Sequence, residues 1–247
     1  MLHYQPRVTL NSGQINTVEA LLRWRQPDGN MISPDRFIPV AESSGLIKEL
    51  GRWVLQQAYI VCAQQRRQGF SNLRVAVNLS VIQFKDGYLQ KTVETALIKA
   101  GLPPEALELE LTESLLIDET DQIQKQLNAL SELGISIAID DFGTGYSNLS
   151  YIRNFNATKL KIDQSFITSL CVTEHDEPLV KAIINMAASL GLKTVAEGIE
   201  NQATLEKLVT MGCDVGQGYY WSKPVPEKAL SELLLKNQQQ KVLQYTL

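Results

Sequence analysis

The chain has 247 residues, of which 44% are hydrophobic and 20% are charged. This composition is typical of a folded globular protein, and the length suits one large barrel or two small domains. The net charge of −4 provides no basic stripe for a phosphate backbone, so we expect no nucleic-acid polymer as a partner, although a metal-rich acidic site would still accept a small phosphate ester.

The three cysteines are Cys62, Cys171 and Cys213, which lack the close-paired spacing of a zinc site and are too few and uneven for a disulfide framework. No apolar run reaches the roughly 18 residues of a membrane helix, and the N-terminal residues contain no export signal. We therefore expect reduced cysteines in a cytoplasmic chain without membrane contact. Because a predicted strand begins almost at Met1, we expect either a domain excised from a longer protein or an artificial start.

The elements predicted along the chain begin with strands at 2–10 and 17–24, which flank a short polar turn and should pair as an antiparallel hairpin. Two helices follow, at 34–44 and 46–68. Strands are then predicted at 74–80, 107–112, 136–141, 158–163, 193–198 and 215–221. The helices between and after them are predicted at 88–100, 120–133, 147–153, 178–190, 202–211 and 226–235. Left-handed C-caps are expected at Gly101, Gly134, Gly191 and Gly212.

Eight strands, the later ones separated by helices, favour a closed α/β barrel over an open doubly wound sheet, which usually has about five or six strands. The predicted fold is a modified TIM (β/α)8 barrel. Its first strand must run antiparallel to the others, because a short hairpin turn cannot make a parallel crossover. We expect one barrel domain over residues 1–235 and a polar, glutamine-rich C-terminal tail over residues 236–247.

The stretch 136–147 is an apolar run that ends in two adjacent carboxylates, Asp140 and Asp141, and a glycine-hinged turn. Taken alone, it could be an ordinary surface turn, where Asp and Gly are common for local reasons. If the run is instead an interior strand, its carboxylates need solvent or a cation, because burying an unpaired carboxylate costs several kcal/mol. The other strands decide between these two interpretations.

Alternation along a barrel strand predicts which polar side chains meet in the lumen. In strand 107–112 the leucines face the helices, so Glu108 and Glu110 face inward, as do Lys159 and Lys161 on the strand at 158–163. Glu108 is assigned a structural place in the lumen. Barrel enzymes assemble their sites at the C-terminal ends of the strands. The residues expected at that end are Glu19, Arg23, Asn78, Glu110, Glu113, Asp140, Asp141, Lys161, Asp163, Glu197 and Gln217.

Five or six carboxylates and one amide oxygen make an oxygen-rich pocket of the kind that Mg²⁺ or Mn²⁺ prefers. No histidine or cysteine belongs to the set, which argues against zinc. With this many acids, two ions about 3.5 to 4 Å apart and bridged by Asp140 would suit the donor set.

Short motifs follow one another in order along the chain: EALLRW (19–24), NLS (78–80), ELTES (110–114), DDFGTGYS (140–147), KID (161–163), AEG (196–198) and QGY (217–219). YQP (4–6) and FIP (37–39) accompany them. Over about residues 3–235 this order resembles the signature of EAL-domain cyclic di-GMP phosphodiesterases.

The resemblance implies a two-metal site. A first ion would be held by Glu19, Asn78, Glu110 and Asp140. A second would be held by Asp140 and Asp141, with Glu197 assisting directly or through water.

The resemblance also implies roles in catalysis and substrate binding. Lys161 would orient or deprotonate the attacking water, and Arg23 would pair with a substrate phosphate. The residues placed in contact with substrate are Gln5, Asp163 and Gln217, although Asp163 could merely cap the helix that follows it. In the family Glu113 restrains the loop 142–147, which also takes part in dimer contacts, so a homodimer is expected.

Three functions remain possible at this point. The leading one is a phosphodiesterase that cleaves cyclic di-GMP to linear pGpG in bacterial second-messenger signalling, linked to a sensory or regulatory domain in the full-length protein. The second is a receptor that binds cyclic di-GMP without hydrolysing it. The third, a barrel enzyme acting on another phosphate ester, rests on fold analogy.

Overall fold

The computed structural model describes residues 1–85, 87–113, 121–143, 155–171 and 176–244, with the backbone alone for 240–244. The predicted helix 147–153 lies outside the described residues, as does the loop 142–147 beyond Gly143. All three cysteines are free. None of the helices in the described ranges combines the length and apolar character needed to cross a membrane.

The secondary structure alternates as predicted over most of the chain. The strands are β1 (Leu2–Thr9), β2 (Gln14–Leu22), β3 (Trp24–Arg25), β4 (Met31–Ile32), β5 (Arg74–Leu79), β6 (Leu107–Thr112), β7 (Ser136–Phe142), β8 (Lys159–Ile162), β9 (Lys193–Ala196), β10 (Val215–Gln217) and β11 (Val225–Pro226). The helices are α1 (Pro34–Ser43), α2 (Ile47–Arg67), α3 (Val81–Phe84), α4 (Leu89–Ala100), α5 (Asp121–Glu132), α6 (Gln164–Thr168), α7 (Asp176–Ser189), α8 (Gln202–Met211) and α9 (Glu227–Gln244), with a 3-10 turn at Pro104–Ala106.

Eight strands close into a barrel in the order β1-β2-β5-β6-β7-β8-β9-β10, and β10 pairs back with β1. Strand β1 is antiparallel to both neighbours, whereas the other neighbouring pairs of the barrel are parallel. The predicted TIM-like barrel with a reversed first strand is therefore confirmed. Strand β11 pairs with β1 at His3 and Tyr4, and β3 and β4 form a small separate hairpin.

The two faces of the barrel wall differ in chemistry, as the alternation predicted. Leu107 and Leu111 are buried in the apolar core that the strands share with the surrounding helices. Between them, Glu108 and Glu110 are buried on the lumen side, where Lys159 pairs with Glu108. The lumen therefore holds paired charges rather than the branched apolar layers that fill many barrels of this type.

Several element ends differ from the prediction, among them those of β9, β10 and α9. Strand β9 ends at Ala196 because the chain turns at Gly198, whose φ is 73°. Strand β10 ends at Gln217, after which the Trp221 N–H donates to the carbonyl of Gly218 at 3.3 Å and closes a turn. Helix α9 continues to Gln244, so part of the segment assigned to a C-terminal tail is helical. The predicted C-cap glycines all have positive φ, as expected: Gly101, Gly134, Gly191 and Gly212.

Candidate active site

Asp140 and Asp141 lie in a β-bulge near the C-terminal end of strand β7. The register between β7 and β8 shifts between Ile139 and Phe142, and Asp141 has a φ of 55°. Neighbouring side chains of a regular strand point to opposite faces, so the bulge lets both carboxylates reach the same end of the barrel. The N–H of Asp141 donates to Oδ1 of Asp140 at 2.9 Å. The surface-turn interpretation is wrong, because Asp140 is buried and paired with Lys161.

Lys161 on β8 lies at the centre of the converging carboxylates. Its Nζ is 2.7 Å from Oδ1 of Asp140 and 2.8 Å from Oε2 of Glu110. The same Nζ is 2.8 Å from Oε1 of Glu197 and 3.9 Å from Oε1 of Glu19. Carboxylates delivered by β2, β6, β7 and the end of β9 therefore surround one buried ammonium group.

Negative charge exceeds positive charge at this point of the barrel. Burial raises the pKa of Asp140 to about 7, and the attraction of Lys161 offsets that effect only in part. Burial likewise raises the pKa of Asp141 and of Glu197. For Glu110, burial acts in the same direction, but Arg7 and Lys161 outweigh it and hold the pKa at about 2. The pKa values of the other three carboxylates are raised because burial disfavours their charged form more than Lys161 favours it.

Those three carboxylates form a group that fits a divalent cation. One oxygen from each of Asp140, Asp141 and Glu197 lies within 4.8 Å of the others. Oxygen donors without histidine or cysteine are the set that Mg²⁺ and Mn²⁺ prefer. The distances, the donor chemistry and the unbalanced charge therefore all fit a metal at the carboxylate end of the barrel.

Glu19 on β2 is fixed by three lumen side chains. Asn78 donates its Nδ2 to Oε1 at 2.7 Å, and Gln217 donates its Nε2 to Oε2 at 2.6 Å. Nη2 of Arg7 is 3.1 Å from the same Oε2. Gln217 also donates to Oε1 of Gln5 at 3.1 Å. Gln5 and Gln217, predicted to contact substrate, are thus buried, and Gln217 contacts the Glu19 carboxylate directly.

Arg7 is the central lumen cation that the sequence analysis missed. Its buried guanidinium pairs with Glu110 and lies 2.9 Å from Oε1 of Glu108, while its Nε donates to Oε1 of Gln217 at 2.6 Å. The alternation that places Gln5 in the lumen places Arg7 there as well, since the two are two residues apart on β1. Applying that rule to the reversed strand could have found it.

Arg23 and Asp163 have different surroundings from the central carboxylates. Arg23 follows β2, its Nη1 donates to the carbonyl of Leu22 at 3.0 Å, and it pairs with no carboxylate in the described part of the chain. Asp163 caps helix α6 by accepting the N–H of Ser165 at 3.0 Å. The capping role is therefore present, and a substrate contact for Asp163 stays a prediction.

Glu113 joins the end of β6 to the segment after the two aspartates. Its buried carboxylate accepts the N–H of Gly143 through Oε2 at 3.1 Å. The expected contact between Glu113 and the loop 142–147 is thus present at the start of that loop. The hydrogen bond provides a direct connection from β6 to the residues that follow Asp141.

Comparison with known proteins agrees with this geometry. A family model described as the EAL domain matches residues 1–224. The bifunctional diguanylate cyclase/cyclic di-GMP phosphodiesterase MucR of Pseudomonas aeruginosa is 42% identical over 93% of this chain and 34% of its own length. The cyclic di-GMP phosphodiesterase NbdA of the same species is 44% identical over 94% of this chain and 30% of its own length. The chain therefore spans about a third of the length of these relatives.

Solved structures give the same result. The phosphodiesterase PaMucR in complex with c-di-GMP has a TM-score of 0.89 and 42% identity, and the match covers 93% of both chains. The EAL domain of DcpA from Mycobacterium smegmatis has a TM-score of 0.81 and 32% identity, covering 96% of both chains. With the family match across residues 1–224 and a shared barrel, this chain belongs to the EAL domain family.

Proposed function

We propose that this chain is a metal-dependent phosphodiesterase that hydrolyses cyclic di-GMP to linear pGpG in bacterial second-messenger signalling. The observation that carries the proposal is the convergence of Glu19, Glu110, Asp140 and Glu197 on Lys161 at the carboxyl end of the barrel. Relatives about 40% identical are named cyclic di-GMP phosphodiesterases, and a structural neighbour of the same fold is a c-di-GMP complex.

The metal ligands we propose are those that the family resemblance implies, and the grouping of Asp140, Asp141 and Glu197 supports them. Glu19, Asn78, Glu110 and Asp140 would hold one ion, and Asp140, Asp141 and Glu197 would hold a second. When bound, Mg²⁺ or Mn²⁺ ions at such a site supply a nucleophilic hydroxide at neutral pH and stabilise charge on the phosphoryl oxygens. Asn78 suits this role because its Nδ2 donates to Glu19, which leaves its amide oxygen to ligate the metal.

The remaining residues bind and orient the reactants. Three carboxylates surround the ammonium group of Lys161, which would orient the attacking water. Arg23 would pair with a substrate phosphate, a role that suits a guanidinium without a described carboxylate partner. Gln5, Gln217 and Asp163 would line the substrate side of the site, and Arg7 would keep Glu19 and Glu110 in position.

We also propose that the active form is a homodimer and that a sensory or regulatory domain accompanies this domain in the full-length protein. The second point is supported by the relatives, since the chain spans only 34% of MucR and 29% of the oxygen sensor protein DosP of Escherichia coli. The first is supported by the contact of Glu113 with Gly143, which ties the site to a loop that takes part in dimer contacts in the resembled family.

The decisive experiment is incubation with cyclic di-GMP and either Mg²⁺ or Mn²⁺, with pGpG followed by chromatography. The parent protein should form pGpG, and Glu19→Ala and Lys161→Ala should lower the rate by at least about a hundredfold, a change of about 2.7 kcal/mol in the activation barrier. Glu206→Ala, which removes an exposed carboxylate from α8, is the matched control and should keep the parental rate. Tight binding of cyclic di-GMP without product would instead support the receptor function and overturn this proposal.

A further inference from the structure

A polar cavity opens at the end of the barrel opposite to the converging carboxylates. It has a volume of about 600 Å³ and is bounded by the first residues of β5, β8, β9 and β10 and by the end of β1. We call it the basal cavity. Five of its lining side chains are cationic: Arg7, Arg66, Arg74, Lys159 and Lys193. Volumes between about 300 and 1,000 Å³ are typical of sites for small ligands.

The positive charge of the basal cavity is only partly balanced. Arg7 pairs with Glu19, Glu108 and Glu110, and Lys159 pairs with Glu108. By contrast, Arg74 and Lys193 form no ion pair within the described ranges, and both are accessible at the cavity rim.

Two acidic residues, Glu105 and Asp214, also line the cavity and offset part of its positive charge. Asp214 is engaged with the strand next to it, since its Oδ2 accepts the N–H of Thr194 at 2.8 Å and the hydroxyl of the same residue at 3.1 Å. Glu105 makes no ion pair among the residues that the structure describes. Because five cationic and two acidic side chains line this concave surface, positive charge remains in excess.

The sheet register sharpens this imbalance. Lys159 and Lys193 are direct partners in the parallel pairing of β8 and β9. Neighbouring strands are about 4.8 Å apart, and like charges directly opposite each other are unfavourable unless something of opposite sign lies between or beside them. Glu108 is shared by Arg7 and Lys159 and forms no described ion pair with Lys193, so the lysine pair is an energetic cost that a bound anion would relieve.

We propose that the basal cavity binds a small phosphorylated anion carrying two or more phosphoryl groups. Arginine forks bind phosphate oxygens in a bidentate manner, and lysines add point charges beside them. Neutral polar side chains around the cations offer further hydrogen bonds to such a ligand: Thr9, Asn11, Gln14, Asn16, Thr17 and Asn72. The site lies at the N-terminal ends of the barrel strands, at the other end of the lumen from the phosphodiesterase centre, and Arg7 contacts both.

The test is calorimetric titration of the full chain with inorganic pyrophosphate in buffer containing EDTA, which removes metals from the carboxylate end. We expect saturable binding of one pyrophosphate per chain. Arg74→Gln combined with Lys193→Gln should weaken that binding at least about tenfold, a change of about 1.4 kcal/mol. Lys91→Gln combined with Lys99→Gln, which removes the same charge from exposed positions of α4, is the matched control and should leave the affinity unchanged.

Further titrations identify the class of ligand and show where on the protein it binds. GDP in place of pyrophosphate tells whether a nucleoside adds affinity to the diphosphate, and sulfate at equal ionic strength should not compete. Arg23→Ala should bind pyrophosphate as the parent does. If the double variant does not fold, Lys193→Gln alone, at an exposed position, should weaken binding several-fold. Absent saturable binding, equal affinity in the Arg74 and Lys193 variants, or loss of binding in Arg23→Ala would overturn the proposal.

Discussion

At the scale of single residues, Arg7 determines how the charged lumen is held together. Its one guanidinium contacts Glu19, Glu108 and Glu110, which come from β2 and β6, and it also donates to Gln217 on β10. Buried carboxylates without such a partner would be strongly destabilising. The residue therefore connects the candidate metal ligands to the deeper layer of the barrel.

Replacing Arg7 tests this role. Arg7→Met keeps much of the side-chain volume but removes the charge, so Glu108 and Glu110 lose a buried partner, and we expect a loss of about 3–5 kcal/mol in the free energy of unfolding. Arg67→Met, at an exposed position of α2, should cost less than about 0.5 kcal/mol. Urea unfolding followed by circular dichroism measures both. An Arg7→Met protein as stable as the parent would show that the lumen charges do not need this guanidinium.

At the scale of elements, the end of β10 depends on a close approach of two backbones. A Cβ added to Gly218 would lie 2.0 Å from the carbonyl oxygen of Ile199. The same two backbone segments are joined by a hydrogen bond, in which the N–H of Ile199 donates to the carbonyl of Gln217 at 3.1 Å. A backbone contact of this kind cannot be relieved by rotating a side chain. The absence of a side chain at Gly218 therefore keeps Gln217 in place beside Glu19.

We expect Gly218→Ala to destabilise the protein by about 3 kcal/mol or more, because overpacking against backbone forces the chain to shift. Gly191→Ala is the comparison, since its Cβ would meet nothing within 4 Å but its φ is 73°. That substitution should cost only the backbone penalty of about 1–2 kcal/mol. Chemical unfolding of both variants measures the difference, and equal losses would contradict the importance of the Ile199 contact.

A second connection between elements joins β6 to the end of β7 through Glu113 and Gly143. Hydrogen bonds to a charged group contribute about 1.5–3 kcal/mol, and part of that free energy positions the residues directly after Asp141. We expect Glu113→Ala to lower kcat for cyclic di-GMP by about tenfold or more, since tenfold corresponds to about 1.4 kcal/mol. Steady-state kinetics over a series of Mg²⁺ concentrations provides the measurement.

The matched control for that experiment is Glu132→Ala, which removes a carboxylate from the end of α5 and should keep the parental kcat. Glu113→Gln distinguishes charge from geometry, because the amide oxygen can still accept the N–H of Gly143. A kcat and metal dependence unchanged in Glu113→Ala would show that this hydrogen bond does not support the site.

At the scale of the whole molecule, local patterns predicted the barrel because its strands alternate and its parallel crossovers need helices. They also predicted that Glu110, Asp140, Lys161 and Glu197 meet, since parallel strands end on one side. They could not predict the bulge at Asp141, which depends on the pairing of β7 with β8. The basal cavity and its lysine pair exist only once the strands close into a ring, so no single segment indicates them.

The extent of α9 is another consequence of closure that the sequence pattern missed. The segment after Leu235 is polar and glutamine-rich, and this pattern predicts a polar tail after a helix that ends at residue 235. In the barrel, Oδ1 of Asn237 accepts the N–H of Ile15 at 3.1 Å and its Nδ2 donates to the carbonyl of Gly13 at 2.9 Å. The end of the chain thus supports the first hairpin through one polar side chain.

Truncation tests this contact at the level of the whole fold. A chain ending after Leu235 loses both hydrogen bonds of Asn237, each contributing about 1 kcal/mol, so Tm should fall by about 4–8 °C for a protein of this size. A chain ending after Gln239 keeps Asn237 and should lose much less, while Asn237→Ala in the full chain should reproduce most of the larger loss. Differential scanning calorimetry compares the three. Equal Tm values for the two truncations would mean that the helix beyond Leu235 does not stabilise the hairpin, whereas a drop in the shorter chain alone assigns the effect to residues 236–239.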